Sequence, residues 1–370
     1  MNKNQRNKKP YKIVKLKRYN FKRNIFKRKH KPNKFSNKFI NINFCSKIIF
    51  ILSLLLLNIT ILTFNTSNIN ETFDNFGLSF EQKIKDYQNK RFSIIRRLEC
   101  TNCGFFSLYM VYLGCILKYV TEGRIPIVDL QSYQNVYNKG NSFKKNPWEL
   151  FFYQPYNYTL DEVKKYANHA KYSHCTSGFY RPNERNIYNR TDKIAYWHNF
   201  SNTYIPVRNE IMNEAKIIMK ELFGNSRNIL GVKVRGTDYV TRKSFRHSIQ
   251  PQIEQVIFDV KEMDSKYNYD FIFFSTEDEL IKNKIVPEFK NKIKLLNPNI
   301  TLEYNFKKRT MINSYPKING NLDYLKNYIL NIIILSKCLD LVTSRCNGAA
   351  AIFIFTNGFR HTKVYDLGEY

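Results

Sequence analysis

Residues 231–239 read GVKVRGTDY, an apolar run that ends abruptly in Arg235-Gly236-Thr237-Asp238. An arginine at the tip of a buried strand offers a fixed cation with a two-pronged fork, which suits a diphosphate. Gly236 lets backbone approach closely, Thr237 offers a hydroxyl, and Asp238 can take a proton or hold Arg235 in place. The same four residues serve equally well as a structural ion pair at a strand end. A second cluster, Ser344-Arg345-Cys346-Asn347-Gly348, stands before an apolar stretch. Free N–H groups at a helix start bind phosphate, although an ordinary helix cap with a flanking glycine reads the same way. A third, Ser275-Thr276-Glu277-Asp278, follows a strand-like run and suits either a ribose or base contact or a capping cluster for the next helix. Arg235 and Asp238 are the candidate catalytic pair. Lys233, Gly236, Thr237, His247, Thr276, Glu277, Asp278, Ser344, Arg345, Asn347 and Gly348 are the candidate donor-binding set. No GxxxxGK[ST], HExxH or GxSxG run occurs, so P-loop, zincin and α/β-hydrolase chemistry has no support.

These residues need strands and helices to carry them, and the pattern supplies two series. In the first, Phe92–Leu98 reads as a strand, 99–104 as a turn and Phe105–Val120 as an apolar helix. Ile125–Leu130 then reads as a second strand, completing a βαβ unit. Gly104 in the turn and Asp129 at the second strand's end are further candidate cleft residues. The segment Asn146–Asp161 is rich in aromatics and proline and suits an acceptor-side loop or surface packing. In the second series, strands are expected at Ile229–Val234, Tyr269–Ser275, Asp340–Thr343 and Lys363–Asp366. Helices are expected at Ile253–Met263, Glu279–Phe289, Leu322–Leu339 and Ala349–Phe355. Alternating strands and helices imply a parallel sheet. The expected fold class is therefore α/β, with two facing Rossmann-like domains over 92–225 and 226–370, the first on the acceptor side and the second binding a nucleotide sugar.

Composition divides the chain differently. The net charge is +30, but residues 1–47 hold seventeen Lys or Arg and no acid, and subtracting 17 leaves +13 for the rest. Residues 1–47 read as a basic disordered tail. Residues 48–64, IIFILSLLLLNITILTF, carry no charge and read as one transmembrane anchor, with a cleaved signal peptide as the rival. The positive-inside rule then leaves the tail cytoplasmic and sends the body across the membrane, as in a single-pass type II protein facing the Golgi or endoplasmic reticulum lumen. Residues 65–91 are expected to form a polar stem. A nucleic-acid role for the tail is the minor reading, so no nucleic-acid partner is expected. Seven cysteines do not make a disulfide scaffold. Cys100 and Cys103 have no second close pair to complete a zinc site, which leaves buried thiols or a disulfide in an oxidising lumen.

The three clusters occur in one order, and together they resemble the superfamily of α1,6-fucosyltransferases, protein O-fucosyltransferases and bacterial nodulation fucosyltransferases. The family's strand-end pattern H-x-R-R-x-D is similar to Lys233–Asp238. FFSTEDE (Phe273–Glu279) and TSRCNGAAA (Thr343–Ala351) resemble its second and third motifs. CTNCGFF (Cys100–Phe106) is similar in place to the family's first Gly-rich loop. The VRGTDY core and the DLG-x-Y of Asp366–Tyr370 also resemble a group of bacterial proteins. Lys233 stands where the family has histidine and Gly236 where it has a second arginine. The resemblance covers most of 92–370. It implies a GT-B arrangement, a GDP-sugar donor, inversion at the anomeric carbon, and no cofactor or required metal. The expected function is a membrane-anchored inverting glycosyltransferase moving fucose from GDP-fucose to a glycan or glycoprotein. The alternatives are an inactive membrane-anchored sugar-binding protein, or a membrane or nucleic-acid binder acting through its tail.

Overall fold

The computed structural model describes residues 80–370 apart from 139–144, 184–186, 189, 237, 244, 298 and 300–320; at 238 and 241 it describes the backbone alone. The basic tail, the 48–64 anchor and most of the stem therefore lie outside the described residues. No helix among the described residues is long and apolar enough to cross a membrane.

Two parallel sheets organise the chain. The first has β1 (Phe92–Arg96) between β2 (Ile125–Val128) and β3 (Ala170–His174). The second holds β4 (Ile229–Lys233), β5 (Phe271–Ser275), β6 (Ile293–Lys294), β7 (Asp340–Ser344) and β8 (Thr362–Tyr365), in the order β6-β5-β4-β7-β8. All five residues of β4 and of β7 are buried, as expected for central strands covered on both faces. From β4 the chain steps outward to β5 and β6, then returns to the other side of β4 with β7. That reversal makes the C-terminal ends of β4 and β7 the switch point, where open α/β sheets bind ligands.

The described helices are α1 (Phe80–Asn89), α2 (Phe105–Thr121), α3 (Leu160–Tyr166), α4 (Thr191–Tyr204), α5 (Asn209–Phe223), α6 (Asp238–Thr241), α7 (Ile253–Tyr267), α8 (Glu279–Ile285), α9 (Leu322–Ser336) and α10 (Asn347–Phe355). α2 and α9 are apolar nearly all round because they lie inside, one beside each sheet. Gly231 in mid-β4 permits close approach: a Cβ there would meet Leu335 Cδ2 at 3.1 Å and Cys338 Sγ at 3.2 Å. One continuous core runs from Ile95 and Phe106 through Trp148 and Phe200 to Ile333 and Ile352. The described residues from 80 onward accordingly form one compact unit, although each expected domain contributes its own sheet.

Two expectations need correction, and two readings left open, the 146–161 segment and the cysteines, take definite forms. Residues 80–89, assigned to a polar stem, form α1, which buries Tyr87 against Phe92 and Tyr158. The stretch read as one helix over 279–289 is α8 followed by a 3-10 turn over Val286–Phe289, because Pro287 removes a helix donor. Asn146–Asp161 folds back on β2: Gln154 accepts from Val128 N and donates to Val128 O, and Asn146 Nδ2 donates to Val128 O. Disulfides join Cys100 to Cys103 and Cys115 to Cys175, while Cys338 and Cys346 are buried and outside any disulfide. The second bridge closes 60 residues and ties α2 to the end of β3.

Candidate functional site

The ends of β4 and β7 lie side by side, with Lys233 in register with Thr343. Beyond them the backbone N–H of Arg235 donates to Ser344 Oγ at 3.3 Å, joining the first and third sequence clusters directly. The second cluster closes from the other side, where Val234 N donates to Ser275 O at 3.2 Å. Glu277 Oε1 then takes the N–H of Gly236 at 3.1 Å and sits 3.3 Å from the Arg235 guanidinium. Arg235 is therefore aimed by Glu277 and by Tyr239, whose ring centre lies 5.0 Å from its Cζ. Asp238, the residue expected to orient or act beside Arg235, contributes its backbone to α6, and Thr237 lies outside the described residues.

Glycine at 236 and 348 is required by space. A Cβ on Gly236 would fall 2.3 Å from Asp278 Oδ2, and one on Gly348 would fall 2.4 Å from the Tyr328 hydroxyl and 3.2 Å from Lys233 Cε. Gly348 opens α10. Its cap is Cys346, whose Sγ takes the N–H of Ala349 and whose carbonyl takes that of Ala350. No described acceptor meets the N–H groups of Asn347 and Gly348, so two donors of the first turn remain beside Lys233.

Lys233 is the unusual member. Its side chain is 1% exposed, and among the described residues it has no carboxylate or hydrogen-bond partner. The only recorded contact for its ammonium is the Tyr328 ring, 5.4 Å from Nζ. Burying an ammonium without a counter-charge costs several kcal/mol. Here that charge is set against a helix N-terminus, which repels cations and attracts anions. Burial holds the Tyr324 and Tyr328 phenols far above their ordinary pKa, so both stay neutral beside these cations. Lys233, Arg235 (paired with Glu277) and the first turn of α10 thus bring two cations, one carboxylate and backbone N–H donors together beside neutral hydroxyls, a grouping that suits an anion.

The other predicted residues have structural partners. Asp278 caps α8 through Leu280 N at 2.9 Å, and Thr276 Oγ1 accepts from Asp278 N. Arg345 pairs with Asp366 and Glu369 of the C-terminal segment. The His247 ring lies tilted against that of Tyr239, with centroids 4.7 Å apart. Asp129 Oδ1 takes the N–H groups of Gln131 and Ser132, shaping the turn after β2, and Gly104 caps α2. Sequence reasoning passed over Tyr324 and Tyr328. Their i, i+4 spacing in an otherwise apolar helix places two phenols on one face, and that spacing was the signal available. Among the described residues no group of three or more His, Cys, Asp or Glu side chains is placed to hold a metal ion. Two cavities, of about 830 Å³ and 230 Å³, open elsewhere, both lined by residues 83–209.

No protein-family model and no curated protein matches the chain. Among solved structures, it is similar to the fucosyltransferase NodZ from Bradyrhizobium, at 14% identity and a TM-score of 0.40, covering 72% of this chain and 93% of that one. A NodZ α1,6-fucosyltransferase soaked with GDP-fucose gives 13% identity and a TM-score of 0.42, with the same coverage. POFUT1 in complex with GDP gives 8% identity and a TM-score of 0.44, covering 76% of this chain and 99% of that one. At these scores the likeness carries no weight of its own, and function has to be argued from this chain's residues.

Proposed function

We propose that the chain is a glycosyltransferase whose donor is a nucleoside diphosphate sugar, with the diphosphate held between the ends of β4 and β7. The observation that carries this reading is Lys233, a buried ammonium without a carboxylate or hydrogen-bond partner among the described residues, set beside first-turn N–H donors of α10 that no described acceptor meets, at the sheet's switch point. Sugar transfer breaks the bond between the anomeric carbon and a β-phosphate oxygen, and that electron pair leaves with the diphosphate. Preorganised cations and N–H donors stabilise the growing charge without reorganising. Lys233 supplies a point charge, Arg235 a fork fixed by Glu277, and Asn347 and Gly348 the backbone donors. Resemblance of Lys233–Asp238 to the fucosyltransferase motif makes GDP-fucose the first donor to test, with inversion, a GT-B arrangement of the two sheets and no required metal.

In this reading the acceptor is a glycan or glycoprotein. Residues 48–64 anchor the chain, and the body faces the lumen of the Golgi or endoplasmic reticulum. The two disulfides support an oxidising compartment for the body. Protease treatment of sealed vesicles with the cytoplasmic face outward should spare the body, and digestion of the body would refute the orientation. For the activity itself, calorimetry of the purified chain with GDP, UDP and dTDP should give saturable binding to at least one. Binding to none would refute the donor site.

A further inference from the structure

Along the surface built by α4 runs a chain of aromatic rings that the diphosphate site does not use. Tyr180 meets Trp197 at 5.6 Å, and Trp197 meets Tyr196 at 5.1 Å. Tyr196 stacks with Phe200 at 6.1 Å, Phe200 meets Tyr204 at 4.7 Å, and Tyr204 meets Tyr156 at 5.8 Å. Trp197 and Phe200 are buried and form the base. Tyr156, Tyr180 and Tyr196 stand out of it at 52%, 58% and 44% exposure. The row ends at the cavity of about 830 Å³, lined by Tyr156, Asn157, Gln154 and Asn209 and also by Lys83, Asp86, Glu149 and Arg208. Tyr156 and Asn157 both take left-handed backbone conformations, with φ of 59° and 60°. Such a conformation is uncommon for tyrosine and is kept where the surroundings impose it.

The polar groups along the row identify the ligand class. Tyr196–Tyr204 contains no Asp, Glu, Lys or Arg, in a chain that is 24% charged. The exposed positions between the rings are Asn199, Asn202 and Thr203. A polyanion finds no cation between these rings, and the charged groups that line the cavity are already engaged: Lys83 with Glu162, Arg208 with Glu210, Asp86 with Tyr158, and Glu149 with Gln154 and Leu160 N. A neutral, hydroxyl-rich polymer needs no charged partner: its C–H faces lie on the negative faces of aromatic rings, and its hydroxyls pair with amides and hydroxyls. We infer that this track, ending in the Tyr156 cavity, binds a neutral oligosaccharide and holds the acceptor glycan. The acceptor role rests on the proposed transferase activity; the saccharide binding does not.

The test uses the full chain in detergent with neutral hexasaccharides of glucose, N-acetylglucosamine and mannose, and with polyuridylate as a polyanion, read by calorimetry. At least one hexasaccharide should bind and polyuridylate should not compete. Tyr196→Ala and Tyr156→Ala should each weaken binding by about tenfold or more, as loss of one ring contact implies. Their melting temperatures should be unchanged. Phe258→Ala, which removes an exposed ring on α7, should leave binding intact. Absence of binding to every neutral hexasaccharide, or equal binding by both tyrosine variants, would overturn the inference. So would an N-glycan mapped to Asn199, since Asn199-Phe200-Ser201 is an acceptor triplet on this surface. GDP affinity measured on the same samples separates the two readings. Intact GDP binding without saccharide binding removes the track alone, and the converse removes the donor site alone.

Discussion

Replacing Lys233 by methionine separates binding from folding. Methionine keeps most of the side chain's length and volume but removes the charge. Among the described residues no carboxylate or hydrogen-bond partner is lost, since the ammonium meets only the Tyr328 ring. Stability should therefore hold or rise, because a buried unpaired charge is removed. Diphosphate binding should fall. Two unit charges about 4 Å apart interact by about 4 kcal/mol at an effective dielectric of about 20, and incomplete burial of the phosphate lowers that to about 2–4 kcal/mol. The affinity for GDP should then drop by about 30- to 1,000-fold. Guanosine, which lacks the phosphates, should bind both proteins alike. Calorimetry with GDP and guanosine, together with thermal melting, reads all three quantities. A variant that melts markedly lower and binds GDP as the wild type does would show that Lys233 serves the fold, and the diphosphate assignment would fail.

Arg235→Ala should behave differently from Lys233→Met. It leaves Glu277 buried without its cation, so it should cost about 3 kcal/mol of stability as well as activity, seen in denaturant titration. Arg235→Lys should recover much of that stability but little transfer, because the fork is lost. Gly348→Ala places a methyl group against the Tyr328 hydroxyl and Lys233, so donor affinity should fall and the overpacking should also cost about 1–3 kcal/mol of stability. Burial pushes the Asp340 carboxyl up, but bonds from Arg360, Tyr269 and His361 N outweigh it and hold its pKa below the ordinary value. Its contribution to stability is therefore present above the unfolded pKa of about 3.9 and is lost as pH falls through the lower folded value. Asp340→Asn should flatten the acid limb of a stability-versus-pH curve. Transfer should survive EDTA, and a loss restored by manganese would contradict a metal-independent reaction.

The alternation of strands and helices was legible because buried parallel strands read as short apolar runs, and β4, β5 and β7 fall within a residue or two of their expected bounds. What escaped was chiefly amphipathic or short: the helices α1, α4 and α5, which mix polar and apolar positions, the half-exposed edge strand β3, and β6, which has two residues. The site was legible as three clusters because each sits at a strand end. Their pairings were not, since they depend on which strands are neighbours. Glu277, which no sequence neighbourhood links to Arg235, reaches it from β5's end across the sheet. That pairing also changes the expected phenotype of Arg235→Ala, from an almost purely catalytic loss to a combined loss of rate and stability. Arg345 looked like a phosphate ligand by position, but its guanidinium is taken by Asp366 and Glu369, more than twenty residues on. Lys233 gained importance only once burial and the absence of a described partner were known, neither of which a sequence displays.

The central claim is that this chain cleaves a nucleoside diphosphate sugar at the junction of β4 and β7. Donor hydrolysis by the full-length protein tests it most directly, with GDP-, UDP- and dTDP-sugars screened side by side for release of the nucleoside diphosphate. The account predicts release from at least one donor, GDP-fucose being the first to try, with the rate falling on the order of 10²-fold or more in Lys233→Met at unchanged melting temperature. Release at the wild-type rate from Lys233→Met, or no release from any donor by a folded protein, would contradict it.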